Sequence, residues 1–225
     1  MTKRAITIIF ALTALACAGA AEAQTTRRAA PTALPPGRGP LAMDVAGVRL
    51  GMSLAAAEGA LAGTYRCRRE KGYQTFQQLV DLEVAKRRGG GLGFPPQGTG
   101  VGNLFCDGPT GESLRVSMAQ TASGPVVDQF QLSIPTNRVD PAALVRQIET
   151  RYGRPTSGTV ANGAWCSGPC SPLISMQPGA VITTSLSGSS LQILGTRGQI
   201  AGEADEAAVK AAADRLSPPA RRGAF

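Results

Sequence analysis

The chain has 225 residues, a net charge of +8 from 23 Lys and Arg against 15 Asp and Glu, and no histidine. Its length allows a sizeable core in one or two domains. Without histidine, a Ser-His-Asp or Cys-His catalytic arrangement is excluded, and the commonest side-chain ligand of transition metals is missing. We therefore expect a protein that is not an enzyme, with no catalytic residue, no cofactor and no metal site.

Residues 1–23 have the pattern of a signal peptide. Lys3 and Arg4 precede an apolar run that is shorter than the roughly 20 residues of a membrane span, and an Ala-x-Ala site ends at Ala23. We expect cleavage after Ala23. The alanine- and glycine-rich composition is typical of GC-rich bacteria, so the predicted location is the periplasm or the secreted fraction. Acylation of Cys17, which would make a lipoprotein, is the alternative.

Residues 24–43 contain four prolines and three arginines without a periodic apolar pattern. This composition predicts a flexible, basic linker. Its arginines either attract anionic envelope material or are simply solvated.

The first predicted module spans residues 44–136. A short extended segment leads into a helix that Ser53 can cap, and a second helix is predicted over Thr75–Arg88. The glycine- and proline-rich loop that follows lacks the lysine and hydroxyl residue of a nucleotide-binding loop. Alternating apolar residues then predict antiparallel strands over residues 113–121 and 126–135.

The same order of helix and strands recurs in a second predicted module, residues 137–200. Asp140-Pro141 is typical of a helix start. A meander of strands is predicted to follow, beginning at Leu173–Met176. Residues 201–225 are expected to form a helix over Glu203–Leu216 and a tail. The predicted fold class is therefore α+β, with two tandem modules, each a helix packed on an antiparallel sheet, plus a C-terminal helix.

Four cysteines remain beyond the signal peptide, and an even number in an oxidising compartment predicts two disulfides. Four cysteines allow three pairings. Proximity in the chain favours Cys166–Cys170 and leaves Cys67–Cys106 as the second pair. A redox-active Cys166/Cys170 pair is the alternative, although three residues separate these cysteines where thiol oxidoreductases have two.

Two short motifs resemble a known family. Gly51-Met52-Ser53 opens a helix, and Tyr152-Gly153-x-Pro155 closes another. They are similar to motifs in the small α+β modules of the BamE/SmpA-OmlA outer-membrane lipoproteins and the structurally related beta-lactamase-inhibitor proteins. The resemblance covers roughly residues 44–196. It implies that each helix packs across an antiparallel sheet, and that the protein binds another protein or an envelope component without catalysis.

The basic charge points to an anionic partner. Because the charges are spread along the chain and aromatic residues are few, we expect no nucleic acid. An envelope protein or anionic envelope component is the predicted partner, with Arg87 and Arg88 beside the glycine-rich loop as candidate contacts. The predicted function is a non-catalytic, exported binding or scaffolding protein of the bacterial periplasm. The alternatives are a secreted enzyme inhibitor, a thiol oxidoreductase using Cys166 and Cys170, or a hydrolase that uses carboxylates.

Overall fold

An antiparallel sheet of eight strands is the centre of the fold in this computed structural model, which describes residues 39–90 and 97–217. A small hairpin of two strands precedes it in the chain. The strands are β1 Asp44–Val45, β2 Val48–Arg49, β3 Arg66–Tyr73, β4 Gly100–Asp107, β5 Ser113–Thr121, β6 Gly124–Pro135, β7 Ser157–Gly158, β8 Asn162–Cys166, β9 Val181–Leu186 and β10 Ser190–Thr196.

The large sheet joins the strands of both predicted modules. Its order is β3-β4-β5-β6-β10-β9-β8-β7, and every neighbouring pair is antiparallel. Each half is a meander, and the halves meet where β6 pairs with β10, with Leu132 opposite Ile193. The two halves therefore share one sheet.

Local capping explains where the helices begin. Ser53 accepts a hydrogen bond from the backbone N–H of Ala56 at 3.3 Å, and Asp140 accepts bonds from two backbone N–H groups. Thr75 and Gln78 form a reciprocal capping box. The helices are α1 Leu54–Leu61, α2 Phe76–Arg87, α3 Pro141–Tyr152 and α4 Gln199–Leu216.

The main core lies on one face of the sheet, beneath α1, α3 and the β1–β2 hairpin. Apolar residues alternate along β5 and most of β6, and β4 contributes Leu104 and Cys106 to the same buried side. The predicted α+β class with a C-terminal helix is therefore confirmed. Among the fully buried core side chains are Met43, Val48, Leu61, Leu104, Leu114, Val116, Phe130, Ile182 and Leu191.

Three boundaries differ from the prediction. The fold begins before residue 44: Pro40–Ala42 form a 3-10 helix, and Met43 is buried in the core. Residues 173–176 are not a strand, because Ile174–Met176 form a 3-10 helix next to the buried Gln177, whose side chain binds the backbone of the same loop. The last helix begins earlier, at Gln199, after a turn at Gly198 where φ is +83°.

Some predictions concern residues outside the described ranges. The signal peptide with its cleavage after Ala23, Cys17, the linker arginines, the central part of the glycine-rich loop and the end of the tail lie there. Among the helices of residues 39–90 and 97–217, none combines the length and apolar character needed to cross a bilayer.

Candidate binding site on the sheet

Polar and charged side chains cross four strands on the face opposite the core. In the register of the sheet, Arg68 of β3 lies opposite Phe105 of β4. Phe105 in turn lies opposite Arg115 of β5, and Arg115 lies opposite Gln131 of β6. Alternation along a strand places these side chains on the other face from the buried Leu104 and its neighbours. Two further rows of side chains flank this one on the same face. The row on one side consists of Arg66, Asp107, Ser113 and Ser133, and the row on the other side consists of Glu70, Asn103, Ser117 and Gln129.

The central row forms a cleft around one aromatic ring. The guanidinium carbon of Arg68 is 4.5 Å from the centroid of Phe105, and that of Arg115 is 5.4 Å from it. Both distances are within the range of a cation–π contact. The cleft has a volume of about 340 Å³. We call it the arginine cleft, defined by Arg68, Phe105, Asp107, Arg115, Gln131 and Ser133.

A buried amide holds one of the two arginines. Asn103 is only 2% exposed, and its Oδ1 accepts hydrogen bonds from Nε of Arg115 at 3.2 Å and Oγ of Ser117 at 2.7 Å. Its Nδ2 donates to Oε2 of Glu70 at 2.6 Å and to the Tyr73 hydroxyl at 2.8 Å. The amide thus uses two donors and two acceptor positions, which is its full capacity. Glu70 is engaged by Asn103 and Tyr73, and Arg115 is held by Asn103 over the ring.

The charges of the arginine cleft are not balanced. Within the described residues, neither Arg68 nor Arg115 forms an ion pair. The lining holds these two guanidinium groups and one carboxylate, that of Asp107. A guanidinium presents a planar fork of donors that matches carboxylate and phosphate groups. The arrangement is therefore suited to an anionic ligand.

A disulfide joins the two strands that carry Arg68 and Phe105. Cys67 and Cys106 lie directly opposite each other in the β3–β4 pair, with Cα atoms 4.0 Å apart. The predicted pairing is confirmed. Because β3 is an edge strand with a largely exposed, charged sequence, this bond adds a covalent tie where few apolar contacts are available.

The second predicted pair, Cys166–Cys170, is also present as a disulfide, with Cα atoms 5.6 Å apart. Cys166 is the last residue of β8, and Cys170 lies in the loop that follows. In that loop Gln177 accepts a hydrogen bond from the N–H of Ser171 and donates to the carbonyl of Pro169. Neither cysteine lies at a helix N-terminus, the environment that lowers a thiol pKa in oxidoreductases.

The predicted contact residues lie on α2 and not on the arginine cleft. Nε of Arg87 is 3.0 Å from Glu83, and its Nη1 donates to Asp214 of α4. Hydrogen bonds from Arg87 to Glu83 and Asp214 raise the pKa of its guanidinium. Arg87 thus connects α2 to α4, whereas Arg88 is the exposed C-cap residue that follows α2.

The arginine cleft was not predicted from the sequence, although one signal for it was present. The alternation of Leu114, Val116 and Met118 in β5 places Arg115 on the opposite face. Nothing in the sequence showed which strands were its neighbours. Within the part of the chain that the structure describes, no group of three or more Cys, Asp or Glu side chains is placed to hold a metal ion.

Comparison of the chain with protein-family models, with curated proteins and with solved structures finds no match. The similarity of the two helix-end motifs to the BamE-like and inhibitor-like modules therefore stays a prediction.

Proposed function

We propose that this protein is a non-catalytic binding or scaffolding protein of the bacterial periplasm, and that the arginine cleft takes an anionic group of its partner. One observation carries the proposal: Arg68 and Arg115 approach the same Phe105 ring, and among the described residues neither has a carboxylate partner. The two disulfides are consistent with an exported protein.

The cleft is organised before any partner binds. Asn103 orients Arg115, and the Cys67–Cys106 bond fixes the strand that carries Arg68. An arginine whose rotamer is already restricted loses less side-chain entropy on binding. Gln131 and Ser133 of β6 add hydrogen-bonding groups at the same cleft. Together these groups suit a carboxylate or phosphate displayed by an envelope protein or an anionic envelope polymer.

The test is binding of two model polyanions, poly-L-glutamate and inorganic polyphosphate, measured by titration calorimetry on the full chain. The double variant Arg68→Gln/Arg115→Gln is expected to bind at least about tenfold more weakly, since hydrogen bonds to charged groups contribute about 1.5–3 kcal/mol each. The control is Arg146→Gln/Arg154→Gln, which removes the same charge at side chains that are 69% and 91% exposed.

We expect the control to change the affinity by less than about twofold, as for screened surface charges. Equal losses in the two double variants would mean that polyanions bind the protein through its general basic charge. That outcome would refute the arginine cleft as the site.

A further inference from the structure

Strand β3 forms one edge of the large sheet, and the other edge strand, β7, has only two residues. Strand β3 has eight residues, and all but one of them are exposed. Its register irregularities are confined to residues 70–73, so residues 66–69 pair regularly with β4. Short strands and bulges protect a sheet edge from pairing with another chain. The first half of β3 has neither protection.

The pairing with β4 shows which backbone groups of β3 face outward. In an antiparallel pair, opposite residues alternate between those that exchange backbone hydrogen bonds, with Cα atoms about 5.5 Å apart, and those that do not, about 4.5 Å apart. The Cα atoms of Cys67 and Cys106 are 4.0 Å apart, so this pair is of the second kind. The N–H and C=O groups of Cys67 and Arg69 therefore point away from β4. Within the described residues, no strand of the sheet lies beyond them.

A strand edge with outward backbone groups is suited to one kind of occupant. An extended peptide can add to it as a further strand through main-chain hydrogen bonds. A glycan or a lipid has no regular series of N–H and C=O groups to match it. A second copy of β3 is disfavoured, because β3 has four basic residues and one acidic residue, and like charges opposite each other are destabilising.

The charges around this edge determine which peptide fits. Among residues 66–73 and 100–115, with Glu58 and Arg138 that bond to them, there are six basic groups and four carboxylates. The basic groups are Arg66, Arg68, Arg69, Lys71, Arg115 and Arg138, and the carboxylates are those of Glu58, Glu70, Asp107 and Glu112.

Each of these carboxylates has a polar or basic group of the protein beside it. These groups are Arg69 for Glu58, Asn103 for Glu70, Arg66 opposite Asp107, and the Thr110 hydroxyl for Glu112. Arg68 contacts the Phe105 ring and, within the described residues, has no carboxylate partner. A peptide that balances the charge of this edge is therefore acidic.

The register places one peptide residue next to Arg68. The backbone groups of Arg68 pair with β4, so a residue opposite it in an added antiparallel strand exchanges no hydrogen bonds with it. Side chains lie closest in pairs of this kind. The side chain of that peptide residue lies on the polar face of the sheet, at the rim of the arginine cleft.

We infer that β3 binds an extended acidic segment of a partner protein, which adds to the sheet as an antiparallel strand with a carboxylate opposite Arg68. The inference rests on the proposed function, because Arg68 belongs to the arginine cleft. It identifies the anionic group as a peptide carboxylate and adds the backbone of β3 to the site.

The ligand test uses synthetic peptides of eight residues, the length of β3, measured by titration calorimetry on the full chain. The parent peptide alternates threonine and valine around one central glutamate. Replacing the glutamate with glutamine is expected to weaken binding about threefold, as for a cross-strand ion pair. N-methylation of the two residues that flank the glutamate removes the donors that face β3, so saturable binding should disappear. N-methylation of the glutamate itself is the control, because its N–H faces away from β3.

The protein variant with a matched control is at Arg69. Arg69→Pro removes an outward N–H, and proline is tolerated on an edge strand where that group faces solvent. Arg69→Gln removes the same charge and the same ion pair with Glu58 but keeps the N–H. Arg69→Pro is expected to bind the parent peptide about fivefold or more weakly than Arg69→Gln, for the lost hydrogen bond. Inorganic polyphosphate has no peptide backbone, so the two variants should bind it within about twofold of each other.

Equal binding of the two N-methylated peptides, or equal peptide binding by Arg69→Pro and Arg69→Gln, would overturn strand addition. Equal binding of the glutamate and glutamine peptides would overturn the acidic partner. Polyphosphate reports the proposed function separately: if it binds through the arginine cleft while no peptide binds, this inference fails and the proposed function stands. If Arg69→Pro does not fold, the N-methylated peptides on the unmodified chain decide the question.

Discussion

Asn103 and Arg115 are joined by a hydrogen bond of 3.2 Å between the amide Oδ1 and the guanidinium Nε. The amide is buried, whereas Arg115 is exposed and its guanidinium carbon lies 5.4 Å from the Phe105 centroid. A buried polar group thereby sets the position of an exposed charged one. The polar face of the sheet is an organised surface.

Replacing Asn103 with leucine tests this relationship. The Asn103→Leu variant removes the amide that joins Arg115, Ser117, Glu70 and Tyr73. We expect the free energy of unfolding to fall by roughly 1–3 kcal/mol, because partners of a buried hydrogen-bonding group are left unsatisfied. Urea unfolding measures it. Gln192→Leu, at an exposed glutamine of β10, is the control and should stay within about 0.5 kcal/mol of wild type.

The two disulfides should differ in their contribution to stability. Their cysteines are 39 and 4 residues apart in the chain. On a chain-entropy basis, Cys67→Ala/Cys106→Ala should cost roughly 4 kcal/mol and Cys166→Ala/Cys170→Ala roughly 2 kcal/mol. Urea unfolding of both variants under oxidising conditions measures the difference. The reverse order would show that the short loop contributes more than its length predicts.

Gly195 lies where the two halves of the sheet meet. It is opposite Phe130, and a Cβ atom at this position would be 2.5 Å from Cζ of the buried ring. We expect Gly195→Ala to cost about 1–3 kcal/mol, since the ring must move within a packed core. The control is Gly188→Ala, where a Cβ would meet no atom within 4 Å. Thermal unfolding of both variants and of wild type gives the two shifts in melting temperature. Equal shifts would contradict the expectation.

The stability should fall at alkaline pH because of Tyr152. Burial raises the pKa of its phenol to about 12, and the hydroxyl donates a hydrogen bond to the backbone carbonyl of Asp44. The folded state therefore holds the proton more tightly than the unfolded state, whose pKa is about 10. This contribution is fully present below pH of about 10 and is lost as the pH rises through about 12, by roughly 2 kcal/mol.

The measurement is urea unfolding at a series of pH values from neutral to about 12. Tyr152→Phe should be less stable near neutral pH by about 1 kcal/mol, for the lost hydrogen bond. Because phenylalanine has no titrating hydroxyl, the free energy of unfolding of this variant should fall less between pH of about 10 and about 12 than that of wild type. If both proteins lose stability in parallel, Tyr152 is not the group responsible.

Local rules in the sequence accounted for several elements. Capping residues marked the starts of α1 and α3, apolar periodicity marked α2, and apolar alternation marked β5 and most of β6. These features depend on neighbours within a few residues along the chain. For the same reason, the short separation of Cys166 and Cys170 was enough to favour the correct pairing.

Strands β3 and β4 were not predicted. The sequence of β3, Arg66 to Tyr73, is charged and largely exposed, so it has no apolar alternation to detect. It becomes a strand because β4 supplies its hydrogen bonds and Cys106 supplies the disulfide. The Leu173–Met176 strand prediction was wrong because Gln177 folds the loop back on itself through side-chain hydrogen bonds.

By itself, the sequence determined where the first three helices lie, the period-2 pattern of β5 and most of β6, the absence of histidine chemistry and the number of cysteines available for disulfides. Only the tertiary structure decided which strands are neighbours, and so brought Arg68, Phe105 and Arg115 together from three strands. The reason is physical: capping and alternation depend on atoms a few residues apart. The arginine cleft depends on the register of strands that are distant along the chain.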